Sequence, residues 1–123
     1  QAWADGTGSP YDLLSEDASW TITGNSLAAK TYNTKAAFIS EVIQPFNARM
    51  QARLLPSVHR LYSEGDTVIA YFDAQGIALD GQTYSNTYVW ILEMKESRIV
   101  RAVAFFDAIA FDDLWRRVRP GGN

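Results

Sequence analysis

Asp107 closes the apolar run Val100, Ala102, Val103, Ala104, Phe105 and Phe106, and a carboxylate emerging into such surroundings has its pKa raised and is suited to moving protons. Its other use would be to cap the backbone turn Ala108 to Ala110 or to pair with an arginine. Asp73 lies between Phe72 and Ala74, where an unpaired charge is costly. Strand alternation would put Ile69, Tyr71, Asp73 and Gln75 on one face, toward a pocket or toward solvent. His59, the one histidine, is the side chain that titrates near neutrality unaided, and in a strand it serves either as a hydrogen-bonded structural residue or as a proton carrier. Tyr71, Tyr84, Tyr88, Trp20 and Trp90 could offer phenol or indole donors to a ligand oxygen, or could be plain core. Asn86, flanked by tyrosines on its own strand face, must find a partner. Arg101, Arg116, Arg117 and Arg119 are most simply solvated or salt-bridged.

Other chemistries are excluded by what the chain lacks. It has no cysteine, so thiolate nucleophiles, thiolate metal sites and disulfides are out, and one histidine rules out a His-rich metal site. No phosphate-cradling glycine loop, dinucleotide fingerprint or Gly-x-Ser-x-Gly elbow occurs, which favours a pocket with no cofactor and no metal. Fourteen acidic and eleven basic residues give a net charge of -3, the wrong sign for binding nucleic acid or anionic lipid. No apolar run approaches the roughly 20 residues that span a bilayer, so no membrane partner is expected. Localisation is left open between the cytoplasm, slightly favoured, and export after loss of a signal peptide.

The 123 residues, 47% of them hydrophobic, suffice for one domain with a core. Gln1 to Gly6 reads as the last turn of a helix whose earlier part is missing. Asp12 to Asp17 reads as a short acidic helical turn, and Ser19 to Thr23 as a strand ended by Gly24-Asn25-Ser26. Thr34 is placed to cap a helix running to Arg53, in which Phe38, Ile39, Val42, Ile43, Phe46 and Met50 make one apolar stripe, kinked or divided at Pro45. Strands follow at Ser57 to Tyr62, Thr67 to Leu79, Tyr84 to Met94 and Arg98 to Asp107, with turn chemistry at Glu64-Gly65-Asp66 and Asp80-Gly81. A last short helix carries Phe111, Leu114, Trp115 and Val118, with Asp112/Arg116 and Asp113/Arg117 spaced as ion pairs. Helices first and antiparallel strands last give an α+β domain, its helices on one face of a curved sheet that encloses a pocket.

The segments Ser19-Trp20-Thr21-Ile22-Thr23-Gly24, Tyr32, Lys35-Ala36-Ala37-Phe38, Tyr84-Ser85-Asn86-Thr87-Tyr88-Val89-Trp90 and Ala104-Phe105-Phe106-Asp107 together resemble the NTF2-like superfamily, most closely its SnoaL-like, ketosteroid-isomerase-like branch. The likeness spans nearly all of residues 1–123 as one domain. It implies a cone-shaped α+β fold, a pocket between sheet and helices, and a homodimer paired through the outer face of the sheet. In the limonene-epoxide-hydrolase type, a final-strand aspartate and a middle-strand Arg-x-Asp pair act together; the resemblance puts Asp107 and Asp73 at those aspartates. Tyr71 stands where the arginine would be, and Trp20 and Ile22 where a tyrosine and an asparagine position water. The ketosteroid-isomerase base is replaced by the Thr21-Ile22-Thr23-Gly24 stretch. The aldol-cyclase type pairs a final-strand aspartate with a histidine, roles open to Asp107 and His59.

By that resemblance Trp20, Tyr71, Asp73, Tyr88, Phe105 and Asp107 share one cavity, with Asn86 and Trp90 as further ligand contacts. A one-residue error of phase would put Phe106 there in place of Asp107. The expected function is a cofactor-independent acid–base enzyme of isomerase, cyclase, hydrolase or dehydratase type, with Asp107, Asp73 and His59 as catalytic candidates and a small apolar oxygenated molecule as substrate. The alternative is a non-catalytic binding protein using the same pocket.

Overall fold

The computed structural model describes residues 10–52 and 54–119, so the helical turn expected at Gln1 to Gly6 lies outside the described residues. A 3₁₀ turn, Pro10–Leu13, leads into β1 (Leu14–Ile22) and the short β2 (Thr31–Tyr32). One continuous helical segment follows: α1 (Lys35–Phe38), a π-helical turn (Ile39–Ile43) and α2 (Gln44–Asn47). Four long strands come next, β3 (Leu55–Glu64), β4 (Thr67–Ile77), β5 (Thr83–Lys95) and β6 (Arg98–Phe106), and then α3 (Ala108–Arg117). The strands form one open, curved sheet in the order β2-β1-β6-β5-β4-β3. It is mixed, because β1 runs parallel to β6 while every other pair is antiparallel. This is the α+β class read from the sequence.

Alternation assigns the two faces of the sheet. In β5, Tyr84, Asn86, Tyr88 and Trp90 are buried while Ser85 and Thr87 are exposed. In β4 the inward set is Ala70, Phe72 and Ala74, and in β6 it includes Ala102 and Ala104, with Phe106 on the same side. The turns Glu64-Gly65-Asp66 and Asp80-Gly81 join neighbouring strands as expected, each with its glycine at positive φ.

The hairpin between β5 and β6 makes the same demand without glycine, since Glu96 and Ser97 sit at φ 51 and 67. Ordinary L-residues pay about 1 kcal/mol each for that backbone region. Ser97→Gly is therefore expected to raise stability by about 1 kcal/mol, seen as a higher urea midpoint; an unchanged or lower midpoint would contradict this.

Two expectations are corrected. Asp12 to Asp17 is not a helical turn: the helical part ends at Leu13, and Leu14 to Asp17 belong to β1, because Leu14 is buried and pairs with Ile99. The acidic residues Glu16 and Asp17 are exposed positions of that strand. The long helix, capped as expected by Thr34 Oγ1, which accepts from the Ala37 N–H at 3.1 Å, stops at Asn47 instead of Arg53. Met50 bridges to Ala78, just past the end of β4.

At Pro45 the segment is divided without ending: α1 gives way to a π-helical turn, in which the Gln44 N–H donates to the Ile39 carbonyl five residues back, and Pro45 stands at the start of α2 with no N–H to donate.

Arg49, which the sequence reading passed over, ties the helical segment to α3. It is 8% exposed. Its Nε donates to the carbonyls of Val118 at 2.9 Å and Trp115 at 3.3 Å, its Nη1 donates to the Pro45 carbonyl at 2.8 Å, and its guanidinium lies 4.0 Å from the centre of the Trp115 ring. Of the two expected ion pairs on α3, Asp113 meets Arg117, while Asp112 accepts from the Leu27 N–H at 2.8 Å.

Candidate functional site

Between the inner face of the sheet and the helices lies a cavity of about 380 Å³. Trp20 and Ile22 reach it from β1, Tyr88 and Trp90 from β5, and Ala104 and Phe106 from β6. The helical segment covers it with Phe38, Ile39, Val42, Ile43 and Phe46, all of the stripe read from the sequence but Met50. The rings are fixed by one another: Phe38 stacks on Trp20 at 4.4 Å and 13°, and Trp90 meets Trp20 edge-on at 5.1 Å and 84°. Tyr88 stacks on Phe72 at 5.1 Å.

Polar groups are few. Asp12, Lys35 and Asn47 line the cavity, and the exposed Asp12 and Asn47 mark where it meets solvent. Tyr11 and Tyr88 supply phenols, and Tyr84 joins Tyr88 at an Oη–Oη distance of 2.8 Å. Burial holds the hydroxyl protons of Tyr11, Tyr84 and Tyr88 above the ordinary tyrosine range. Among the described residues, no group of three or more His, Asp or Glu side chains comes together in a metal-binding arrangement.

Of the residues singled out in the sequence, Trp20, Tyr88 and Trp90 line this cavity. The expectation that Tyr71, Asp73, Phe105 and Asp107 share it is corrected, because β4 and β6 run with the opposite phase. Phe106 faces the cavity while Phe105 is 44% exposed on the other side of the sheet. Asp107 follows β6 as the N-cap of α3, its Oδ1 accepting from the Ile109 N–H at 3.0 Å. Tyr71, 40% exposed, points outward with Asp73.

His59 stands on that outer side too, its Nε2 2.9 Å from Asp73 Oδ2 and its ring 4.8 Å from that of Tyr71. Asn86 is buried beside the cavity wall and holds the corner from β6 into α3. Its Nδ2 donates to the Asp107 carbonyl and its Oδ1 accepts from the Asp107 N–H, both at 3.0 Å.

On the outer face the Thr87 hydroxyl, donating at 2.7 Å, and then His59 hold the Asp73 carboxyl below the usual carboxylate range. A depressed carboxyl lends stability that is complete above its unfolded pKa and is lost as pH falls through the folded one. Asp73→Asn is thus expected to flatten the acid side of the stability profile, measured by urea unfolding below the ordinary carboxylate range. Identical acid limbs in both proteins would contradict the pairing.

The SnoaL-like domain family model matches residues 2–102. The chain belongs to the SnoaL-like family. No curated protein matches it. Among solved structures, Bal32a from a soil-derived mobile gene cassette is 20% identical, with a TM-score of 0.73 over 94% of this chain and 88% of that one. An NTF2-like protein from Burkholderia thailandensis is 17% identical, with a TM-score of 0.71 over 92% and 88%. TerC, co-crystallised with polyporic acid, is 19% identical, with a TM-score of 0.70 over 92% and 85%.

Within this SnoaL-like domain, the cavity residues that sequence reasoning missed include Tyr11, Asp12, Lys35, Asn47, Ala104 and Phe106. Phe106 was legible as the alternative phase of β6; Tyr11, before the first strand, carried no periodic signal.

Proposed function

We propose that the chain binds a small, largely apolar, oxygen-bearing molecule in the cavity between sheet and helices, and that binding rather than proton transfer is its primary activity. The carrying observation is a separation: the cavity is walled by aromatic rings, while Asp107, Asp73 and His59 lie outside its lining. Its volume falls within the range of roughly 300–1,000 Å³ usual for ligand pockets. Calorimetric titration with a neutral aromatic ketone, 2-acetylnaphthalene, and with polyporic acid tests the reading. Saturable one-to-one binding of either is expected; heats indistinguishable from dilution for both would overturn it.

One observation favours a second reading, an acid–base enzyme. Asp12 lines the cavity together with Lys35 and Tyr11, so a carboxylate stands within the space even though Asp107 does not. Asp12→Asn distinguishes the two. A binding protein keeps its affinity, whereas an enzyme using Asp12 would lose about 100-fold to 10,000-fold in turnover.

We further propose a homodimer formed through the outer face of the sheet. Tyr71, Val89 and Phe105 are cross-strand neighbours there, flanked by the row Ile69, Ile91 and Val103. Such an exposed apolar surface is suited to meeting its own copy. Light scattering is expected to give the mass of two chains, and Phe105→Glu to give one; a monomeric mass for the unaltered protein at high concentration would contradict the pairing.

A further inference from the structure

Counting protons along the buried polar chain beside the cavity leaves one over. Asn86 spends both amide hydrogens, on the Asp107 carbonyl at 3.0 Å and on Tyr84 Oη at 2.8 Å. Its Oδ1 accepts from the N–H groups of Thr87 and Asp107 at 2.8 and 3.0 Å. Every site on the amide is therefore used, and its orientation is fixed, because a flipped amide would set its oxygen against the Asp107 carbonyl. Tyr84 Oη is an acceptor for Asn86.

Tyr84 must place its own hydroxyl hydrogen, and among the described residues its remaining partner is Tyr88 Oη at 2.8 Å. Two hydroxyls share that one bond, so among the described residues the pair carries two hydrogens with one acceptor between them. When Tyr84 donates to Tyr88, the hydrogen left over is on Tyr88. That is the member of the pair that lines the cavity; Tyr84 is not in the lining. A buried hydroxyl without an acceptor is costly, and a ligand oxygen in the cavity would meet that need.

We infer that Tyr88 Oη is the donor that receives a ligand's neutral carbonyl oxygen, as in a ketone, quinone or ester, with Tyr84 and Asn86 as positioning residues behind it. The inference rests on the cavity being a ligand site. The neutral class follows from the rings of Phe72, Trp90 and Phe106 around Tyr88 and from the charges of the described lining, where the one cation, Lys35, is matched by one carboxylate, Asp12, leaving no net positive charge for an anion. Successive donation from Asn86 to Tyr84 to Tyr88 polarises the last hydroxyl and strengthens the bond it makes. The raised titration of both phenols keeps them protonated, hence donors, through neutral and mildly alkaline pH.

The test compares 2-acetylnaphthalene with 2-isopropenylnaphthalene, in which a methylene replaces the carbonyl oxygen, by calorimetry on the unaltered protein, Tyr88→Phe and Tyr84→Phe. Tyr88→Phe is expected to change the ketone-to-hydrocarbon affinity ratio by about tenfold against the ketone, with the hydrocarbon's own affinity nearly unchanged. The infrared carbonyl stretch of the bound ketone is expected at lowered frequency in the unaltered protein, partly restored in Tyr84→Phe and fully restored in Tyr88→Phe. A merely structural tyrosine would move both affinities together and leave the stretch alone.

If Tyr88→Phe does not fold, Tyr84→Phe carries the decision, and an unshifted stretch in the unaltered protein or no change on Tyr84→Phe overturns the chain of donors. An unchanged affinity ratio in Tyr88→Phe overturns the donor while leaving the cavity as the site. Absence of binding by both naphthalenes to the unaltered protein overturns this inference, and the cavity reading falls with it when polyporic acid gives no heat either.

Discussion

Replacing Arg49 with methionine is expected to lower the stability of the fold by about 3 kcal/mol, the largest loss from any single change considered. Methionine keeps much of the side chain's length and apolar stem but has no donor. The carbonyls of Pro45, Trp115 and Val118 then stay buried or half-buried without the guanidinium that serves all three. Two of these, at Trp115 and Val118, belong to the end of α3, whose final carbonyls lack partners within the helix and carry the negative end of its dipole. The cation over the Trp115 ring is lost at the same time. For a chain of this size about 4 °C accompanies each kcal/mol, so a fall in melting temperature of roughly 12 °C is expected by calorimetry. A shift of less than about 3 °C would mean that the guanidinium contributes no more than a surface contact.

Ala104→Leu is expected to abolish ligand binding while the fold persists. Ala104 is 1% exposed, on the cavity wall, between Ile22 of β1 and Trp90 of β5 in the sheet register. A leucine side chain there has nowhere to go but the cavity, and walls built of stacked rings yield little. Affinity for 2-acetylnaphthalene should drop by about 100-fold or more, equivalent to roughly 2.7 kcal/mol. The stability change should stay within the 1–3 kcal/mol typical of a core asked to hold extra methyl groups, and filling empty space works in its favour. Unaltered affinity in a folded Ala104→Leu protein would place the ligand elsewhere.

Ala104 also explains where the sequence misled. The resemblance placed Asp107 in the cavity, and Phe105, of the same parity on β6, with it. The inner face is set by fit, not bulk: opposite the indoles of Trp20 and Trp90 the strand has room for small residues, so Ala102 and Ala104 face in and parity turns Phe105 outward. On β4 the same parity follows Phe72, whose ring lies against Tyr88 and Trp90, and it takes Tyr71 and Asp73 to the outer face.

The four later strands, their hairpin turns and the Thr34 cap were legible because each depends on local chemistry: alternation, turn residues and a side-chain acceptor. On β5 the phase was legible too, since Tyr84, Asn86, Tyr88 and Trp90 alternate with the smaller Ser85, Thr87 and Val89. The Asn86–Tyr84–Tyr88 chain and the three carbonyls on Arg49 were not legible. The Arg49 bonds to Trp115 and Val118, and the bond that anchors Asn86 on Asp107, depend on where α3 comes to rest, and residues 21, 66 and 69 positions apart in sequence carry no local trace of meeting.

The central claim is that the aromatic cavity, and not the outer face, holds the ligand. A crystal structure of the chain with 2-acetylnaphthalene tests it most directly. The predicted result is a naphthyl ring in the cavity, against the faces that Phe38, Phe46 and Trp90 turn to it, with its carbonyl oxygen within hydrogen-bond distance of Tyr88 Oη. A ketone seated against Tyr71 and Phe105 on the outer face, with the cavity free of it, would contradict the account.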